Sequence, residues 1–214
     1  MESSPKFESM DTFELDRYFF ADPASGKNRL KKIRARQAIV GIGVDPLQRV
    51  FVLEAWAGKL TTTKFRDKII EFYSQYAPRK FGIENNAMQE LFGDLVKEEA
   101  RKKYGNVRIV GIPTSTKVEK DFKIRTIIQP FFNDGRLFIQ EGHTELIAEI
   151  RGFPTYYLKD LIDSLAMCIK MIPKQRESLV RADEIKQMAE YLRNSGASSH
   201  YIQQRMREMK GGLG

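Results

Sequence analysis

The fold is decided at residues 17–22, whose sequence is RYFFAD. Aromatic side chains favour β-strands, so Arg17–Ala21 predicts a strand that ends at a carboxylate, Asp22. Two further apolar, β-rich stretches follow, Ala35–Val44 and Arg49–Ala57. Between them lies DPLQ (45–48), a tight turn with proline at its second position. The three stretches predict an antiparallel hairpin with the first strand alongside it.

Beyond the hairpin, helical and strand patterns alternate. A meander of three strands followed by such an alternation is typical of a mixed α/β sheet. In that order the first strand becomes central, and its end lies beside the end of the strand that carries Glu84. The predicted helices cover 61–76, 87–103, 118–132, 144–150 and 158–171, and the later strands cover 80–83, 107–112 and 137–139.

Four carboxylates stand where apolar runs begin or end. Asp22 and Glu84 each follow a short strand, whereas Asp160 and Asp163 open an apolar helix and share one of its faces. Converging carboxylates repel one another strongly unless a cation lies between them. Mg²⁺ prefers oxygen ligands and is often held by carboxylates together with substrate phosphates. The pattern therefore predicts a metal-dependent site that acts on phosphodiesters.

Each carboxylate also has an ordinary structural explanation. An Asp-Pro step such as the one at Asp22 is frequently a turn. Glu84 precedes a helix that it could cap, although the asparagines after it are the more natural caps. Acids at a helix start, such as Asp160 and Asp163, are favoured by the helix dipole. Only the combination, in this strand order, indicates a site.

The charge of the chain favours a polyanionic partner. Its 214 residues include 36 Lys and Arg against 28 Asp and Glu, a net charge of +8. The basic residues crowd into one cluster after Asp22 and a second at the start of a later helix, and either cluster alone would also suit a solvated surface. We predict that they contact the phosphates of such a partner through Lys27, Arg29, Lys31, Lys32, Arg34, Lys117, Lys120, Lys123 and Arg125.

Cysteine content and hydropathy exclude several classes of protein. Cys168 is the single cysteine, which excludes disulfides and a cysteine zinc site and favours a reducing compartment. No apolar run approaches membrane-spanning length, and the first twenty residues lack a signal-peptide core. We expect a linker or disordered start over 1–15, one domain over 16–173 and a charged helical C-terminal extension over 174–214.

Three motifs resemble those of the RNase H-like, RuvC-type nucleases, and most closely those of the C-terminal nuclease domain of phage large terminases. The motifs are DPASG (22–26), FGIENN (81–86) and KDLIDSLA (159–166). The basic segment over 117–125 and NDGRL (133–137) resemble later parts of the same family. The resemblance covers roughly residues 16–172.

This resemblance implies a fold, a reaction and partners. It implies a five-stranded RNase H-like sheet flanked by helices and an endonuclease that cuts double-stranded viral DNA during genome packaging. Two Mg²⁺ or Mn²⁺ ions are expected, with Asp22 bridging both and with Glu84 and Asp160 or Asp163 holding one each. The implied partners are a packaging ATPase domain outside this chain, the portal and the small terminase. We expect a monomeric domain, no membrane, and a location in the host cytoplasm, docked on the procapsid.

Two positions depart from the family pattern. Where the family often has a further Asp near the start of the second strand, this chain has Arg36 and Gln37. Where it often has His-Asp-Asp, this chain has Leu-Lys-Asp at 158–160, which leaves open whether Asp160 or Asp163 is the principal ligand. A Walker A pattern is absent, because the Gly-Lys at 26–27 lacks the preceding glycine and a following Ser or Thr.

Three other functions fit the same sequence. A junction-resolving nuclease would prefer four-way junctions to linear duplex. A non-catalytic RNase H-like module that docks on DNA or on a portal ring would bind no metal at the acids. A transposase or integrase core would require strand-transfer activity.

Overall fold

The computed structural model describes residues 15–23, 36–45, 47–85, 90–113, 120–173 and 190. Within these ranges the chain forms a central sheet with helices on both faces. The strands are β1 (Asp16–Asp22), β2 (Gln37–Val44), β3 (Val50–Gly58), β4 (Lys80–Asn85), β5 (Ile109–Pro113) and β6 (Leu137–Phe138). The helices are α1 (Thr62–Tyr76), α2 (Glu90–Tyr104), α3 (Lys120–Asn133), α4 (Thr144–Gly152) and α5 (Asp160–Lys170).

The sheet has the order β5-β4-β1-β2-β3-β6. β1, β2 and β3 form an antiparallel meander, and β4 and β5 run parallel to β1. The predicted mixed α/β sheet, in which β1 is central and pairs with both β2 and β4, is confirmed. The expected count of five strands was one too low, because the brief strand predicted near Leu137 pairs with β3 as β6. The Phe138 ring stacks on that of Phe51 with centroids 4.8 Å apart, which adds an aromatic contact to this two-residue ladder.

The turn between β2 and β3 is held by one buried carboxylate. The Gln48 N–H donates to the Asp45 carbonyl at 2.9 Å, which closes the turn. The Asp45 side chain accepts from Arg49 twice, from the backbone N–H at 2.8 Å and from Nε at 2.6 Å. The predicted hairpin is therefore confirmed, with its turn where proline and aspartate indicated it.

Alternation along β1 divides the core into two layers. Tyr18 and Phe20 join the layer beneath α3, α4 and α5, whereas Phe19 and Ala21 join the layer beneath α1 and α2. Successive side chains of a strand point to opposite faces, and β1 is buried on both because helices cover both. Asp22 lies two residues after Phe20, so its side chain points to the same face of the sheet as that of Phe20.

Two element boundaries differ from the expected ones in a way that bears on the site. β4 continues through Glu84 to Asn85, because Glu84 still pairs with Ile112 of β5. α5 begins at Asp160 and not at Leu158, so Asp160 is its first residue. The expected starts of α2 at Ala87 and of α3 at Val118 lie outside the described residues.

The chain divides into two units, Met1–Ile172 and Pro173–Gly214, and all the elements named above belong to the first. The linker expected over 1–15 and the extension expected over 174–214 lie outside the described residues, apart from Leu15 and from Glu190, which is helical. No helix in the described ranges combines the length and apolar character needed to cross a bilayer.

Candidate active site

Asp22 and Glu84 end up as neighbours because their strands are paired in parallel. The register of β1 and β4 runs from Tyr18 opposite Lys80 to Ala21 opposite Ile83. Asp22 and Glu84 each follow the last of these pairs by one residue. Adjacent strands lie about 4.8 Å apart, so the two residues lie side by side at one end of the sheet.

Both side chains belong to the face of the sheet that α5 covers. Asp22 shares its parity with Phe20, which packs in the layer beneath α5. Glu84 shares its parity with Gly82, where an added Cβ would approach Met171, just after α5, to 2.7 Å. Period-two alternation therefore directs Asp22 and Glu84 to the same side.

Helix α5 brings its own carboxylates to the same end. Asp160, its first residue, accepts a hydrogen bond at 3.4 Å from Arg36, the residue directly before β2. Eight residues later, Cys168 donates to the Val40 carbonyl at 3.0 Å. The helix thus runs along β2, which is antiparallel to β1, and its N-terminus lies at the end where β1 and β4 finish.

Two ion pairs connect the start of α5 to α3. In one of them α3 supplies the base, and in the other it supplies the acid. Lys123 of α3 contacts Asp163 of α5 at 2.8 Å, and both side chains are less than a quarter exposed. Lys159, which precedes α5, donates to both oxygens of Asp121 in α3 at 2.8 Å. Each helix start therefore supplies one acid and one base. Lys123, which was predicted to contact DNA, is engaged with a candidate ligand in this structure.

Glu149, a buried carboxylate that the sequence did not indicate, contacts the same guanidinium group as Asp160. Glu149 of α4 is 1% exposed, and its two oxygens accept from Arg36 Nη2 at 3.1 Å and from the Ile162 N–H at 2.9 Å. Burial raises the pKa of the Glu149 carboxyl, and the Ile162 hydrogen bond and the charge of Arg36 oppose that rise. The available signal was a glutamate on the apolar face of α4, three residues after Leu146.

The predicted DNA contacts are only partly described. Arg125 is exposed, and its guanidinium lies 5.5 Å from the centre of the Phe153 ring, which Lys159 also approaches at 5.5 Å. Lys120 begins α3, but its side chain lies outside the described part. The remaining predicted contacts fall entirely outside it: Lys27, Arg29, Lys31, Lys32, Arg34 and Lys117.

The donors at this end of the sheet are chemically suited to a hard divalent cation. All four predicted ligands are carboxylates, and each keeps part of its side chain exposed to solvent. Across the described ranges, however, no three His, Cys, Asp or Glu side chains form a group that could hold a metal ion. Asp160 and Asp163 are instead paired with Arg36 and Lys123. The residues fit a metal by donor type, and a bound ion would have to share these two aspartates with the bases or displace them.

Several solved structures have a similar fold at low sequence identity. The P22 large terminase nuclease domain has 11% identity and a TM-score of 0.45, over 75% of this chain and 87% of that one. Thermus thermophilus RuvC in complex with a Holliday junction substrate has 10% identity and a TM-score of 0.42, over 72% and 90%. The yeast mitochondrial Holliday junction resolvase Ydc2 has 8% identity and a TM-score of 0.44, over 73% and 79%. No family model and no curated protein matches the sequence.

Proposed function

We propose that this chain is a metal-dependent endonuclease that hydrolyses phosphodiester bonds of double-stranded DNA. The observation that carries the proposal is the parallel register of β1 and β4, which sets Asp22 beside Glu84 on the face covered by α5. The N-terminus of α5, with Asp160 and Asp163, lies at the same end. Carboxylates that two strands and a helix bring to one end of a sheet would be drawn together by a cation bound between them.

The four acids would hold one or two Mg²⁺ or Mn²⁺ ions. Asp22, Glu84 and the two aspartates of α5 would be the ligands of these ions. Bound divalent ions would supply an activated water and stabilise the charge that develops on the leaving oxygen. The contribution of the protein would be to hold these carboxylates on two neighbouring strands and at a helix start, at one end of the sheet.

Basic residues near the acids would bind the DNA backbone. Lys123 lies next to Asp163, and Arg125 is exposed one helical turn from Asp121. Contacts of this kind neutralise phosphates without reading base sequence. We therefore expect affinity that falls steeply with salt and depends little on sequence.

The order and spacing of the three acidic motifs favour a role as the nuclease of a viral packaging motor. In that setting the chain would work with a packaging ATPase domain, the portal and the small terminase, in the host cytoplasm and docked on a procapsid. A resolvase would act on branched DNA instead, so a comparison of four-way junctions with linear duplex distinguishes the two roles.

Cleavage is expected to depend strictly on the cation. Supercoiled plasmid incubated with the protein should be nicked or linearised in Mg²⁺ or Mn²⁺ and remain intact in excess EDTA. Ca²⁺ should support DNA binding without cleavage, because its looser coordination suits a two-ion hydrolysis poorly. Gel electrophoresis measures the product and a filter-binding assay the complex. Robust cutting in excess chelator would contradict the proposed chemistry.

A further inference from the structure

One guanidinium group, that of Arg36, contacts two carboxylates of α4 and the one that begins α5. Arg36 Nη1 donates to Glu145 at 2.7 Å, Nη2 to Glu149 at 3.1 Å and Nε to Oδ2 of Asp160 at 3.4 Å. The guanidinium is planar and permanently charged, and its donors have a fixed geometry. The contacts therefore fix the three acids relative to one another as well as balancing part of their charge.

Glu149 extends this arrangement to the helix on which both aspartates stand. Its second oxygen accepts from the N–H of Ile162, in the first turn of α5, at 2.9 Å. Backbone N–H groups at that position have no partner within the helix, and an acceptor there stabilises the helix start. Arg36 thus holds Asp160 directly and the first turn of α5 through Glu149.

We propose that Arg36 is a positioning residue that engages Oδ2 of Asp160, leaves one oxygen of that carboxylate for a divalent cation, and so favours Mg²⁺ over Ca²⁺. The inference rests on the proposed function, in which Asp160 is a ligand. Mg²⁺ requires near-ideal octahedral geometry, whereas Ca²⁺ accepts more oxygens and often takes a carboxylate by both. A carboxylate with one oxygen on a guanidinium is a poor bidentate ligand.

Two simpler roles for Arg36 predict different behaviour. If only its positive charge matters, its removal strengthens the binding of Mg²⁺ and Ca²⁺ together and leaves their ratio unchanged. If it only stabilises the fold, its replacement lowers the melting temperature and the ratio again stays constant. The ratio of the two affinities therefore isolates the positioning role.

The test is the substitution Arg36→Lys in the full chain. It keeps the positive charge and removes the planar set of donors that contacts the three acids. Mn²⁺ binding is followed by electron paramagnetic resonance, and Mg²⁺ or Ca²⁺ is added as competitor. We expect the affinity for Ca²⁺ relative to Mg²⁺ to rise about tenfold, the lower end of what loss of a ligand-orienting residue causes. A wild-type ratio in the folded variant overturns the inference.

Glu145→Gln is the matched control. Glu145 is a partner of the same guanidinium, but its side chain is 61% exposed and the Asp160 contact remains without it. The Ca²⁺-to-Mg²⁺ ratio of this variant should equal that of the wild type. A shift as large as that of Arg36→Lys would mean that loosening the network is enough, and would overturn the specific role of the Asp160 contact.

A second variant covers the case in which Arg36→Lys does not fold. Arg36→Gln combined with Glu149→Gln removes both charges of the buried pair together, so that the fully buried Glu149 is not left as an unpaired charge. It should show the same rise in the Ca²⁺-to-Mg²⁺ ratio, and an unchanged ratio overturns the inference. Failure of wild-type protein to bind Mn²⁺ contradicts the proposed function and the inference with it, whereas Mn²⁺ binding with unchanged ratios contradicts the inference alone.

Discussion

Asp22→Asn should lower the rate of metal-dependent DNA cleavage by roughly a thousandfold, and Glu84→Gln should do the same. A catalytic metal contributes several kcal/mol of transition-state stabilisation, and each 1.36 kcal/mol is about a factor of ten in rate. Each substitution removes a negative charge and one ligand oxygen at nearly constant volume. DNA affinity should stay close to that of the wild type, because in the proposed complex basic residues, and not these acids, bind the phosphates.

The measurement is single-turnover cleavage of plasmid in Mn²⁺, with DNA binding measured separately in Ca²⁺. Asp16→Asn is the control on the same strand, because Asp16 lies at the opposite end of β1 and forms an exposed ion pair with Arg79. Exposed pairs contribute about 1 kcal/mol at most, so this variant should cleave at the wild-type rate. Retained cleavage in purified Asp22→Asn or Glu84→Gln would rule out the four-carboxylate site. Equal loss in Asp16→Asn would point to a general defect of the strand.

Gly41→Ala should destabilise the protein by about 3 kcal/mol, the upper end of the usual range for overpacking a core. Gly41 pairs with Phe19 across β1 and β2, and an added Cβ would overlap the Phe19 ring. That ring is fully buried and has little room to move, since it packs on Tyr76 and Phe81 with centroids 4.9 and 5.6 Å away. Because domains are stable by only about 5–15 kcal/mol, the loss is large.

Urea denaturation followed by circular dichroism measures this change. Gly93→Ala is the control, since nothing lies within 4 Å of the Cβ it would add in α2. Alanine favours helices over glycine, so that variant should gain up to about 1 kcal/mol. Combining Gly41→Ala with Phe19→Leu should recover part of the lost stability, because the smaller side chain frees space. A Gly41→Ala protein as stable as the wild type would show that the Phe19 ring has another place to go.

The sheet was predictable from sequence because its signals are local. The aromatic run in RYFFAD, the DPLQ turn and the helical spacing after Thr61 each act within a few residues, and chain order then makes β1 central. The adjacency of Asp22 and Glu84 followed from that order. The end of β4 was less predictable, since Glu84 is kept in the strand by pairing with β5 and not by its own β-propensity.

The surroundings of the aspartates were not predictable, because their contacts connect distant parts of the chain. Arg36 lies 109 to 124 positions from the three acids it contacts. The sequence showed only that a base stands where the nucleases that its motifs resemble often have an acid. Lys123 shows the same limit, since its residue type suits phosphate and its position gives it Asp163 as a partner. The sequence shows which residues are charged, but only the fold shows which charged residues are paired.

The central position of β1 also affects which parts of the protein open first to solvent. β1 is hydrogen-bonded to β2 along its whole length and to β4 along much of it, whereas β6 pairs at only two positions at the edge. Edge segments open in small local fluctuations, but amides of a doubly paired central strand exchange with solvent only when a large cooperative unit opens. The doubly paired stretch Tyr18–Ala21 should therefore belong to the most slowly exchanging part of the sheet. Asp22 follows it directly, so the backbone that leads into this carboxylate should stay in place until a large part of the sheet opens.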